Sequence, residues 1–234
     1  VISLLDVNEF TTGYKKITII RDVSIHVEKG KVISIIGRNG VGKSTLMKGI
    51  MGLIPAQSGK LYLNSKDITK KDTYVRARLG IGYVPQGHGV FPNLTVEENL
   101  RMGETINIKK KNRNYDVIYN YFPKIKERLK QKAGTLSGGE RAQLSIGRAL
   151  IGNPELLILD EPSEGIQPNI IHTIGDIINQ INKDLGLTVL LVEQHMGLIK
   201  NLTDVCYAID KGRIVGEHTS DELTTKTIQT YLSV

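Results

Sequence analysis

Nine consecutive residues, Gly37-Arg38-Asn39-Gly40-Val41-Gly42-Lys43-Ser44-Thr45, have the types and spacing that phosphate chemistry needs. Gly37 and Gly42 stand five apart and are followed by a lysine and a serine. Glycines let backbone N–H groups crowd around phosphate oxygens where a Cβ would intrude. Lys43 supplies a mobile positive charge for outer phosphates, and the Ser44 hydroxyl can ligate Mg²⁺. A helix starting here points its positive dipole end at the same anion. The bland alternative, a glycine turn between a strand and a helix, is disfavoured by context: an apolar β-branched run, Val32-Ile33-Ser34-Ile35-Ile36, comes just before, and helical spacing follows over 45–51.

A second constellation is Leu156-Leu157-Ile158-Leu159-Asp160-Glu161, an apolar strand ending in two adjacent carboxylates. In open parallel sheets, ligands bind beyond the carboxyl ends of strands. One carboxylate there can hold hydrated Mg²⁺, and the other can orient and deprotonate an attacking water. Alone the pair could simply cap a turn at Pro162, but beside a phosphate loop it points to nucleotide hydrolysis. A third candidate, Leu136-Ser137-Gly138-Gly139-Glu140, reads two ways. Ser137 and Glu140 form a Ser-x-x-Glu capping box, and the glycine pair could expose donors for a second phosphate contact. Thr95-Val96-Glu97-Glu98 is another such box.

These groups must be positioned by alternating strands and helices, which predicts an α/β protein. Strands are expected at 2–8, 18–28, 32–36, 61–63, 81–84, 156–160, 188–192 and 205–209. Ile170, Ile174, Ile177, Ile178, Ile181 and Leu185 recur at helical spacing and predict an amphipathic helix over 169–185. Helices are also expected at 96–102, 139–152 and 114–131, the last interrupted by Pro123. The strand-free middle reads as a helical lobe, 87–152, inserted into a catalytic core of 1–86 and 153–234, all within one domain.

The 234 residues suit one large domain or one with two lobes. No apolar run reaches the roughly 18–20 residues a membrane-crossing helix needs. The first residues lack the basic segment and cleavage site of a signal peptide, so none is expected. The single Cys206 cannot form an internal disulfide, suits a reducing cytoplasm, and reads as a buried strand residue. The net charge of +7 is partly concentrated in Lys109-Lys110-Lys111-Asn112-Arg113. That run reads as a solvated loop, or as a contact for anionic lipid heads or an acidic partner. No nucleic-acid partner is expected, because no aromatic-rich surface accompanies the charge.

Together the motifs make the chain resemble the ATP-binding subunits of ABC transporters, over essentially its whole length and in the family's motif order. Residues 37–45 resemble the Walker A loop, 156–161 the Walker B strand, and 136–140 the signature motif, with Glu140 where Gln is commoner. Gln86 sits at the Q-loop position, and Tyr14 where the family places an aromatic that stacks on adenine. The resemblance implies a P-loop NTPase core with a mostly parallel sheet, an N-terminal antiparallel β subdomain and the inserted helical lobe. It also implies ATP and Mg²⁺ as ligands. Tyr14, Gly37, Asn39, Gly40, Gly42, Lys43, Ser44 and Thr45 would hold the nucleotide; Ser44, Gln86 and Asp160 would serve the metal. Ser137 and Gly139 would cover ATP held by a second ATPase subunit, identical or homologous. Transmembrane permease subunits would be the other partners, with the chain lying peripherally on the inner face of the cell membrane.

Residues 85–100 and Glu161-Pro162-Ser163-Glu164-Gly165-Ile166-Gln167-Pro168 are similar to importers of branched-chain amino acids, urea and short-chain amides. Two departures bear on catalysis. Where most members have a switch histidine this chain has Gln194, with His195 one position later; either is a candidate. Gln167 stands where many members carry the aspartate of the D-loop. Glu161 is the expected catalytic base. The competing readings are a soluble ABC ATPase of DNA maintenance, which would carry long coiled coils between Gln86 and Leu136, and a non-hydrolysing regulatory module that binds ATP.

Overall fold

A computed structural model describes residues 2–106 and 115–232, so the basic run at 109–113 lies outside the described residues. In chain order, β1 (Ser3–Tyr14) and β2 (Ile17–Glu28) form a hairpin, followed by β3 (Val32–Ile36) and α1 (Lys43–Met51). Next come β4 (Ala56–Leu63), β5 (Lys66–Asp67), α2 (Thr73–Arg78) and β6 (Ile81–Val84). Residues 87–152 contribute α3 (Val96–Glu104), α4 (Tyr115–Tyr121), α5 (Pro123–Glu127) and α6 (Gly138–Ile151), with no strand element among the described residues. The chain continues through β7 (Leu156–Asp160), α7 (Pro168–Leu185), β8 (Thr188–Val192), α8 (Met196–Leu202), β9 (Val205–Asp210), β10 (Arg213–Thr219) and α9 (Thr225–Leu232). No described helix is long and apolar enough to cross a membrane.

The strands form two sheets. One is antiparallel, in the order β2-β1-β4-β5; the other runs β10-β9-β3-β8-β7-β6, parallel except for β10. Every residue of β3, β7 and β8 is buried, as expected of strands covered on both faces. Their alternation divides the core. Leu157, Leu159, Val189 and Leu191 pack with the helices of 96–151 and with α7. Leu156, Ile158, Leu190 and Val192 face α1 and the antiparallel sheet.

Several boundaries differ from those expected. β1 runs to Tyr14 because a register irregularity at Glu9, in the left-handed region (φ 47°), breaks the apolar alternation while pairing resumes beyond it. β4 starts at Ala56, five residues earlier than expected. The predicted helix 114–131 is split into α4 and α5, Pro123 opening the second at its first turn, where no amide donor is missed. In α7, Ile171 is buried and Leu185 is 49% exposed, so the apolar stripe ends before Leu185.

α2 serves α1. Arg76 is 2% exposed, and its guanidinium donates to the carbonyls of Gly49 (2.9 Å), Ile50 (2.7 Å), Thr69 (2.9 Å) and Lys71 (2.8 Å). It thereby satisfies carbonyls at the end of α1, where the helix dipole favours a cation.

Candidate functional site

The strand order assembles the site. β3, β8, β7 and β6 are consecutive neighbours, and each delivers one piece beyond its carboxyl end: the 37–42 loop, Gln194, the pair Asp160 and Glu161, and Gln86. The loop needs its glycines. A Cβ at Gly37 would lie 2.3 Å from the carbonyl oxygen of Ile209, and Gly42 adopts φ 112° with Ile20 Cδ1 2.7 Å from where its Cβ would be. Gly42 then caps α1, whose first residues are Lys43, Ser44 and Thr45. A cavity of about 310 Å³ opens here, lined by Asn39, Gly40, Gly42, Lys43, Ser44 and Thr45, with Ile19, Gln86 and Glu161.

Lys43 is buried. Its ammonium donates to the carbonyls of Gly37 and Arg38, both at 2.9 Å, and lies 3.3 Å from Glu161 Oε1. Four further side chains converge on the carboxylates. Gln194 Nε2 donates to Glu161 Oε1 (2.7 Å) and to Asn39 Oδ1 (2.7 Å), joining the phosphate loop to the tip of β7. Gln86 Nε2 donates to Glu161 Oε2 (3.3 Å) and Glu164 Oε1 (3.2 Å). Ser44 Oγ donates to Asp160 Oδ1 (2.9 Å), and Tyr83 Oη to Asp160 Oδ2 (3.3 Å). Burial pushes the Asp160 carboxyl above its ordinary range, against the two hydroxyl donors and with help from the Glu161 charge.

The two switch candidates part company. Gln194 faces the carboxylates, whereas His195 is the N-cap of α8, its Nδ1 accepting the Leu198 N–H at 3.3 Å. Ser137 and Gly139 are not brought to the cavity. Ser137 caps α6 in a reciprocal box with Glu140, and Gly139 packs so tightly on Ile170 that a Cβ would come within 2.5 Å of it. Tyr14 ends β1, 46% exposed, and does not line the phosphate cavity; Ile19 does. Sequence reasoning missed Tyr83 and Glu193. The signal for Tyr83 was its place three residues before Gln86, on the strand that pairs with β7.

The donor set suits a magnesium nucleotide. Mg²⁺ is typically held by one or two protein oxygens plus substrate phosphates, and Ser44 with Asp160 offers them at the start of α1.

Comparison with known proteins agrees. The family model described as ABC transporter matches residues 20–164. The chain is 42% identical over 223 residues to the high-affinity branched-chain amino acid transport ATP-binding protein BraG of Pseudomonas aeruginosa, covering 95% of each chain. It is 39% identical over 216 residues to the probable branched-chain amino acid transport ATP-binding protein LivF of Archaeoglobus fulgidus, covering 92% of each. Among solved structures, a nucleotide-free ATP-binding cassette of an ABC transporter superposes with a TM-score of 0.83 at 30% identity, covering 99% of this chain and 100% of that one. A cassette in its ADP conformation gives 0.84 at 29%, with both chains fully covered. A glycine loop, a carboxylate pair and Gln86 stand at adjacent strand ends in a chain matched along nearly its whole length, and that match places this protein in the ABC transporter family as an ATP-binding, ATP-hydrolysing subunit.

Proposed function

We propose that the chain powers an importer of branched-chain amino acids, hydrolysing ATP at composite sites between two ATPase subunits on the inner face of a membrane. The observation that carries the hydrolytic part is the convergence of Lys43, Gln194 and Gln86 on one carboxylate, Glu161. Lys43 and the loop amides hold the phosphates in the cavity that Asn39 and Thr45 line, and Tyr14, at the end of β1, stacks on the adenine. Bound Mg²⁺, held by Ser44, Asp160 and Gln86, would neutralise charge on the phosphate oxygens. Glu161 orients water and takes its proton, and Gln194 holds Glu161 in place through its amide N–H.

Ser137 caps α6 and Gly139 lies in its first turn, and neither lines the cavity at Lys43, which supports their acting on nucleotide bound by another subunit. The cargo assignment rests on the two relatives named for branched-chain amino acid transport; neither is named for urea or amides. Against the DNA-maintenance reading, the described helices between Gln86 and Leu136 run only nine, seven and five residues. Those are too short for sustained heptads. The test is reconstitution with the neighbouring permease and binding-protein subunits in vesicles. Leucine should accelerate phosphate release, and urea should not; the reverse result would reassign the cargo.

A further inference from the structure

Glu193 stands between the turn after Glu161 and the loop of Gln194, yet none of the reactions described above uses it. Its carboxylate is 2% exposed. Oε1 accepts three hydrogen bonds: from Ser163 Oγ (2.8 Å), from the Gln194 amide (2.8 Å) and from the His195 amide (3.0 Å). Oε2 is buried and has no hydrogen-bond partner among the described residues. An unsatisfied buried polar oxygen costs stability, so this side chain is poorly explained as a stabiliser.

Its partners explain it better. Ser163 lies two residues beyond Glu161, whose backbone is in the left-handed region (φ 51°), a costly conformation for a residue with a side chain. Such conformations persist when their surroundings over-determine them. The turn is already tied by the Glu161 amide donating to the Val192 carbonyl (2.9 Å) and the Glu164 amide to the Glu161 carbonyl (3.1 Å). Ser163 to Glu193 is a third tie, and it runs to the residue beside Gln194.

We propose that Glu193 is a positioning residue for hydrolysis, its buried carboxylate locking the Ser163 turn to the loop of Gln194 so that Gln194 meets Glu161. The inference rests on Glu161 and Gln194 acting in hydrolysis as proposed above. Without the lock each loop keeps its own fold, but the 2.7 Å contact between them is no longer fixed.

The experiment compares phosphate release and thermal unfolding for Ser163→Ala, Ser163→Thr, Glu193→Gln and the Ser163→Ala/Glu193→Gln double variant, with Glu161→Gln as reference. A lost hydrogen bond to a charged group predicts a fall in kcat of about tenfold for Ser163→Ala and for Glu193→Gln. KM for MgATP should stay within about twofold, as for loss of a contact that acts on the chemical step. The double variant should be no slower than either single one, because both cut the same tie. Ser163→Thr should restore the rate, and Glu193→Gln should unfold at an equal or higher temperature than wild type. Wild-type kcat in both single variants, losses that multiply in the double variant, or a loss of rate tracking a lower unfolding temperature would each overturn the proposal. If Glu193→Gln fails to fold, the Ser163→Ala and Ser163→Thr pair decides alone. Wild-type turnover by Glu161→Gln would instead bring down the underlying reading of the site, and this inference with it.

Discussion

The Lys43 ammonium lies 3.3 Å from Glu161 Oε1, so the cation of the phosphate loop is paired with the carboxylate that stands beside Gln194. Both side chains are nearly buried, at 4% and 10% exposure, which keeps solvent screening of the pair low. A phosphate reaching Lys43 competes with Glu161 for it.

Neutralising Glu161 removes that competitor. Glu161→Gln should bind ATP at least as tightly as wild type by calorimetry, while phosphate release falls by about 10²-fold or more, the usual contribution of a general base. It should also accumulate as an ATP-bound dimer in light scattering. Wild-type turnover would falsify the assignment of Glu161.

Gln194 and His195 are separated by their contacts. Gln194→Ala, losing the donor at 2.7 Å from Glu161, should lose most of kcat. His195→Ala loses a helix cap, and should cost about 1 kcal/mol of stability with little effect on rate. Gln carries no proton that titrates in the working range, whereas an unperturbed imidazole titrates near pH 6.5. Gln194→His should therefore add an inflection to the pH–rate profile at roughly pH 6–7 that wild type does not show at this position.

Asp160 gives a stability prediction with a definite sign. Burial raises its folded-state pKa above the ordinary carboxylate value. Such a group favours folding below its unfolded pKa, and that advantage is lost as pH rises through the folded value. Above the folded value the ionised, buried carboxylate therefore weighs against folding. Asp160→Asn should unfold at a higher temperature than wild type at pH 7.5 without Mg²⁺. The difference should shrink as pH falls towards 4, and magnesium-dependent hydrolysis should be lost. Equal unfolding temperatures at pH 7.5 would contradict the burial argument.

Tyr83 donates to the Asp160 oxygen that Ser44 does not hold. Tyr83→Phe removes that hydroxyl and nothing else. Outer partners of this kind commonly change metal affinity by 10–100-fold, so the Mg²⁺ needed for half-maximal nucleotide binding should rise roughly tenfold. ATP binding in EDTA should be unchanged by calorimetry.

What could be read from the sequence follows from how local each signal is. The glycine loop before α1 and the Asp160-Glu161 strand end were legible as structure because each is written in contiguous residues. The buried strands β3, β7 and β8 were legible as apolar runs. β10 was not: its side chains alternate between exposed and half-buried, leaving no apolar stripe. α9 buries only Ile228, and α2 only Arg76, so neither shows a helical apolar face. Whether Gln194 or His195 faces the carboxylates depends on how the chain turns after β8, and spacing alone cannot fix that turn. The pairing of Tyr83 with Asp160 depends on β6 lying beside β7, a relation between residues 77 positions apart.

Arg76 gives α1 a second anchorage, far from the phosphates. The helix is gripped at its start by the loop and at its finish by a guanidinium whose other bonds reach the backbone of Thr69 and Lys71, next to the antiparallel sheet. The finish of α1 and the segment that follows β5 are thereby stapled to one side chain, so truncating Arg76 would cut both moorings at once.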